Sequence, residues 1–171
     1  MENGDRTMSI DSICLIAMNP HYIGKLIQAF LTGYGDACDI KLVLMAMPIL
    51  FHKPSRERLM KAKSGSRLKT IYGNAKALPS GETISGQAQI AGFLERYYIM
   101  LPHVKRAIIC ATSDKLIYCD EELKLSVCDR LEYKSMKKPL YYWYRASYYL
   151  GNIFRIATPE EISYILEVNI K

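Results

Sequence analysis

From Leu42 to Phe51 the chain runs ten residues without a polar side chain, Pro48 included. A surface element stripes or alternates its apolar residues, whereas one that is apolar on every face has to be enclosed. A bilayer span needs about 20 such residues, so this run is too short to cross a membrane and reads as a buried core element. Extended back to Ile40 it fits a central helix or a buried strand, and its methionines, leucines and alanine favour the helix. The rest of the chain then has to wrap it.

A chain of 171 residues can do so in one domain. Half of the residues are apolar and 23% are charged, the balance of a folded protein and not of a disordered one. The five cysteines, Cys14, Cys38, Cys110, Cys119 and Cys128, form no C-x-x-C pair, so neither a zinc site nor any cofactor is expected. No basic-then-apolar leader is visible, and a cytoplasmic protein with reduced thiols is the expectation.

Helical signals surround the run. Ile10, Ile13, Cys14 and Ala17 fall at helical spacing, and Asn19-Pro20 ends that segment. A helix over His21 to Tyr34 carries Ile23, Leu26, Ile27, Phe30 and Leu31 on one stripe, with His21 as a possible cap and Gly33 and Gly35 as stops. Pro54 opens the next helix, and Gly65 marks a turn between two short ones. Ser85 to Ile99 predicts a helix with Ile90, Phe93, Leu94 and Tyr97 inward; Pro102 breaks it, and a second runs from His103 to Ala111.

Then the period changes. Leu116 to Cys119 and Leu123 to Val127 alternate as two short strands about an Asp120-Glu121-Glu122 turn, a hairpin placed like a winged-helix wing. Pro139 to Phe154 and Pro159 to Leu166 close the chain as helices, the second capped by Thr158 with Glu161 as reciprocal partner. The fold expected is mainly α, a compact helical domain with one small winged-helix-like β-hairpin. It is read as a single domain over 1–171, with a helical core at 8–112, the hairpin at 115–128 and C-terminal helices at 136–168.

The charge is not spread evenly. Between His52 and Lys76 eight bases face one acid, Glu57, while the remaining chain is nearly neutral. Lys53, Arg56, Arg58, Lys61, Lys63, Arg67 and Lys69 form a strip of the kind that meets phosphate or an acidic protein face. The aromatic tract Tyr141, Tyr142, Trp143, Tyr144, Tyr148 and Tyr149 covers more than half of a helix circumference, more than one small core can enclose. Rings of this type favour protein interfaces. Base stacking on them is disfavoured by their distance in sequence from the basic strip.

No catalytic set emerges. There is no G-x-S-x-G elbow, no phosphate-binding glycine loop and no acidic cluster for metal-dependent chemistry. His21, His52 and His103 each stand at a proline-marked or element boundary, where structural hydrogen bonding is the usual role. No enzyme is expected, and no catalytic or metal-binding residue is assigned.

Three stretches carry a family resemblance. They are Asn19-Pro20 leading to Gly33-Tyr34, the apolar run ending in Leu50-Phe51-His52-Lys53-Pro54-Ser55-Arg56, and Leu150-Gly151-Asn152-Ile153-Phe154 leading to Ile162 to Val168. In order and spacing they resemble the middle component of bacterial three-component ABC-ATPase systems, including the small subunit of Lamassu-type defence systems. The family's closing glycine is Glu167 here, and its final Arg-Pro is missing. The resemblance implies a non-catalytic adaptor bridging an SMC- or Rad50-like ATPase and an effector protein, a nuclease by expectation, in antiphage or antiplasmid defence. It also implies contact with DNA through the complex. The alternative is a free-standing winged-helix DNA-binding regulator. Against it, the helix before the hairpin has Lys105 and Arg106 but is otherwise apolar, unlike a recognition helix.

Overall fold

Asn19 opens the first described helix, α1 (Pro20–Tyr34), its side chain accepting from the backbone N–H groups of His21 and Tyr22. His21, one candidate for that cap, instead turns its Nδ1 to Asp114, 2.9 Å away. The computed structural model describes residues 18–73 and 90–168, with the backbone alone of 76–77 and 83–84. The helix expected over Ile10 to Ala17 lies outside the described residues, as does the side chain of Lys76.

After α1, the two-residue strand β1 (Cys38–Asp39) leads into α2 (Ile40–Phe51), the apolar run in helical form with Pro48 inside it. Asp39 caps α2 by accepting from Lys41 N. Two short helices follow, α3 (Lys53–Leu59) and α4 (Leu68–Tyr72), then strands β2 (Lys76–Ala77) and β3 (Thr83–Ile84), which pair antiparallel. A single long helix, α5 (Phe93–Ser113), precedes the hairpin strands β4 (Ile117–Cys119) and β5 (Lys124–Val127). A 3-10 turn at Tyr133–Ser135 leads to α6 (Leu140–Ile156) and α7 (Pro159–Leu166).

The chain is mainly α. Its hairpin gains a strand that no sequence signal announced: β1 pairs antiparallel with β5, giving the order β1-β5-β4 with Cys38 opposite Leu125. Leu123 is not a strand residue. It turns the hairpin at φ 60, exposed, and its carbonyl accepts from Ile40 N at the start of α2.

Two further expectations change. Pro102 does not break the chain into two helices; α5 runs through it from Phe93, and Leu94 points outward instead of inward. The helix also begins eight residues later than expected, at Phe93 after Gly92 in a left-handed conformation, although 85–89 of the expected span lie outside the described residues. Pro102 is exposed, so the N–H it lacks is missing on the outer face of α5, away from the core.

The core forms around α1, which packs against α6 more extensively than any other pair of helices and against α5 next. The stripe Ile23, Leu26, Ile27, Phe30 and Leu31 is buried throughout. Gly33 is not a stop: it lies within α1, and Gly35, in the left-handed conformation, ends the helix. A Cβ at Gly33 would run into the backbone of Tyr148, and one at Gly151 into the backbone of Phe30. A glycine on each helix therefore lets the two backbones touch. Ser147 Oγ donates to Leu26 O across the same seam at 2.7 Å, and Phe30 meets Phe154 edge to face.

Candidate docking site: a basic loop mounted on an aromatic helix

The strip begins where α2 ends. His52 closes α2 and precedes α3, and its Nδ1 lies 2.8 Å from Ser55 Oγ. Tyr72, fully buried on α4, donates to Ser55 O at 3.0 Å. This His–Ser pair is not a nucleophile and its base, because Ser55 is completely buried and no substrate can reach it. It holds the corner between α2 and α3.

Arg56 and Arg58 fold inward from the strip. Arg56 Nη1 donates to Leu50 O at 3.0 Å, and its guanidinium lies 3.7 Å from the centre of the Trp143 ring. Burial lowers the Arg56 pKa, with Tyr22 and Glu57 acting against that shift. Arg58 Nη1 donates to Ile71 O at 2.8 Å, tying α3 to α4.

The basic strip and the aromatic tract, remote in sequence, therefore meet in space. Trp143 packs against Phe51 and Tyr22 beneath Arg56. Next on α6, Arg145 reaches out to the carbonyls of Leu59, Met60 and Ala62 while lying 4.6 Å from the Tyr149 ring centre. Leu59 and Met60 stand at the C-terminal end of α3, where a helix favours a cation, and Ala62 follows in the turn, its N–H donating to Leu59 O. Distance in sequence was thus no guide to distance in space.

Past that clamp the strip turns to solvent. Lys61, Lys63, Arg67 and Lys69 are exposed, as is Lys53 at the other end, which stands 3.9 Å from Glu57. The turn closes on itself: Lys63 N donates to Ser66 Oγ at 2.9 Å and Ser66 N to Lys63 O at 3.0 Å. Gly65 at its tip has open space around it. Behind the turn, α4 buries Leu68, Ile71 and Tyr72 and leans on α7. Thr158 caps α7 by accepting from Glu161 N, as expected, but the Glu161 carboxylate does not return the favour locally. It accepts from Lys69 N at 3.2 Å, bracing the start of α4.

The six rings of the tract are less open than a free interface. Tyr144 is buried and the other five are half-buried. Tyr141, Tyr148 and Tyr149 gather around Tyr133, and Tyr142 faces Lys138. Burial raises the Tyr144 pKa, and that of Tyr22 beside it further.

What results is a hydrogen-bonded mount carrying exposed cations. Among the described residues, no three His, Cys, Asp or Glu side chains come together to hold a metal ion. No described helix is long and apolar enough to cross a membrane. Arg145 was not among the residues expected at the site, and Glu161 was expected only to cap α7. A single arginine inside a run of tyrosines was the signal for the first, since a cation among rings needs acceptors close by.

A family model described as ABC-three component (ABC-3C) system Middle Component 3 matches residues 7–170. No curated protein and no solved structure matches the chain.

Proposed function

The chain belongs to the Middle Component 3 family of ABC-three component systems, and from that premise we propose that it is a non-catalytic adaptor. It joins the ATPase of its system to an effector, a nuclease in our reading, and touches DNA or an acidic partner face through the loop at Lys61, Lys63, Arg67 and Lys69. The role is antiphage or antiplasmid defence of the Lamassu type. The observation that carries this reading is the mounting of that loop: Arg145 clamps one side of it, Glu161 braces the other, and the four cations between them are exposed. A preorganised cationic loop binds without first being ordered, which lowers the entropy cost of association.

The winged-helix order of strands favours a second reading, a DNA-binding regulator acting alone. The charges oppose it. The hairpin turn that would approach phosphate carries Asp120, Glu121 and Glu122, and the outward face of α5 exposes Leu94, Tyr98 and Ile109.

The test is affinity purification of the tagged chain from its native host, beside a variant with Lys61, Lys63, Arg67 and Lys69 changed to Glu. The adaptor reading expects the ATPase and a neighbouring effector with the wild type, and loss of a partner or of associated DNA with the variant. Recovery of the wild-type chain alone, with a sequence-specific footprint on DNA, would move the assignment to the regulator. Partner and DNA recovery unchanged in the variant would remove the loop from the site.

A further inference from the structure

The longest helix of the molecule shows solvent the wrong kind of surface. Among the described residues nine large apolar side chains are exposed, and four of them lie on α5: Leu94 at 51%, Tyr98 at 63%, Ile99 at 59% and Ile109 at 66%. Helical spacing gathers them. Leu94, Tyr98, Pro102, Lys105 and Ile109 follow at intervals of four, four, three and four, one stripe opposite the buried Met100, Val104, Ala107 and Ala111. Apolar side chains scattered singly over a surface need no explanation, but a stripe along about 23 Å of helix does.

The charges beside the stripe say what covers it. Glu95, Ile99 and Arg106 stand on one flank, all exposed, with the acid near the N-terminal end and the base eleven residues, or about three turns, further on. The other flank, Tyr97, Leu101 and Ile108, is half-buried or buried and carries no charge. When two helices pair antiparallel about a two-fold axis, each flank meets the same flank of its partner; when they pair parallel, opposite flanks meet. Only the antiparallel arrangement of α5 with itself sets Glu95 against Arg106, and it does so twice.

We propose that the outward face of α5 is a self-association surface on which a second copy of this chain packs antiparallel. A two-fold axis near Leu101 and Pro102 sets Leu94 of one copy against Ile109 of the other, and Tyr98 against the stem of Lys105. Glu95 then lies within reach of Arg106 on both sides of the axis. The interface is isologous, as in most symmetric dimers. The opposed helix dipoles favour the same orientation. This inference is independent of the adaptor reading, since α3, α4 and α6, which build the basic loop, take no part in it.

Analytical ultracentrifugation of the full chain tests it. The wild type is expected to dimerise in the micromolar range. Tyr98→Glu and Ile109→Glu, both at exposed positions, should each weaken the dimer at least roughly tenfold with an unchanged far-UV spectrum and melting temperature. Glu95→Arg and Arg106→Glu should each weaken it, and the double variant Glu95→Arg/Arg106→Glu should restore it. A wild type that stays monomeric throughout that range, a dimer indifferent to Tyr98→Glu and Ile109→Glu, or a double variant no tighter than the single ones would overturn the proposal.

Discussion

Arg56 and Lys61 stand five residues apart in one basic strip and do opposite things. Arg56 lies over Trp143 with one nitrogen on Leu50 O, half-buried, its charge spent inside the fold. Lys61, beyond the end of α3, is exposed, and so are Lys63, Arg67 and Lys69. The inner half of the strip joins the α1–α6 seam through the rings it touches, and the outer half leaves that seam altogether. A run of like charge is therefore not one feature. Two of its three arginines, Arg56 and Arg58, with planar groups that stack and donate at fixed angles, were taken inward, and Arg67 and the lysines were left in water. Motif residues behave like the inner half: Asn19 caps a helix, His52 and Ser55 hold a corner, and Gly151 permits a close approach. These stretches build the mount, and the exposed cations lie mostly between them.

Breaking the inner half should cost stability in proportion to how little room is left. Gly151→Ala places a methyl group against the Phe30 backbone and should destabilise by about 3 kcal/mol or more, read as a lowered urea midpoint. Arg145→Ala removes the side-chain donor of the Met60 and Ala62 carbonyls, Leu59 O keeping Ala62 N, and should cost about 2–3 kcal/mol. Arg56→Ala, losing one charged hydrogen bond and the ring contact, should cost about 2 kcal/mol. It should also shift the emission of Trp143, the only tryptophan in the chain. If Arg56→Ala left both unchanged, the inner and outer halves of the strip would not differ as described.

A smaller effect of opposite sign is expected at Glu167. The residue ends α7 at φ 55, a left-handed conformation that disfavours any side chain with a Cβ. Glu167→Gly should stabilise by roughly 0.5–1 kcal/mol in the same unfolding measurement. The smallest effect belongs to the outer half. Changing Lys61, Lys63, Arg67 and Lys69 to Gln should move stability by less than about 0.5 kcal/mol, because exposed cations away from packing contribute little. A large loss there would place the loop in the mount.

The sequence carried the helices well because their signals are periodic. The α1 stripe, the all-apolar α2 and the switch to alternation at Leu116 each involve many residues pointing the same way. β1 was invisible because two residues have no period, and only the pairing of Cys38 with Leu125 makes them a strand. Pro102 misled because the hydrogen bond it removes lies on the outer face of α5, while the inner face packs without interruption through Met100 and Val104. Gly33 misled because a glycine near a helix end reads as a cap, whereas its use here lies in a helix more than a hundred residues later. For the site, the count of bases found the strip. It could not tell Arg56 from Lys61, since direction depends on Trp143 and Arg145 arriving from α6.

The α1–α6 seam also has a history in time. Leu26 and Ser147, joined across it, are 121 positions apart, so the first described helix waits for one of the last. At ordinary rates of synthesis that interval is roughly ten seconds. During it the stripe from Ile23 to Leu31 lacks the larger part of its cover, because the helix that packs against it most extensively does not yet exist. Contacts so distant along the chain also form late once synthesis is done. The nascent chain should therefore depend on chaperones, and should be most prone to aggregate, until α6 has left the ribosome.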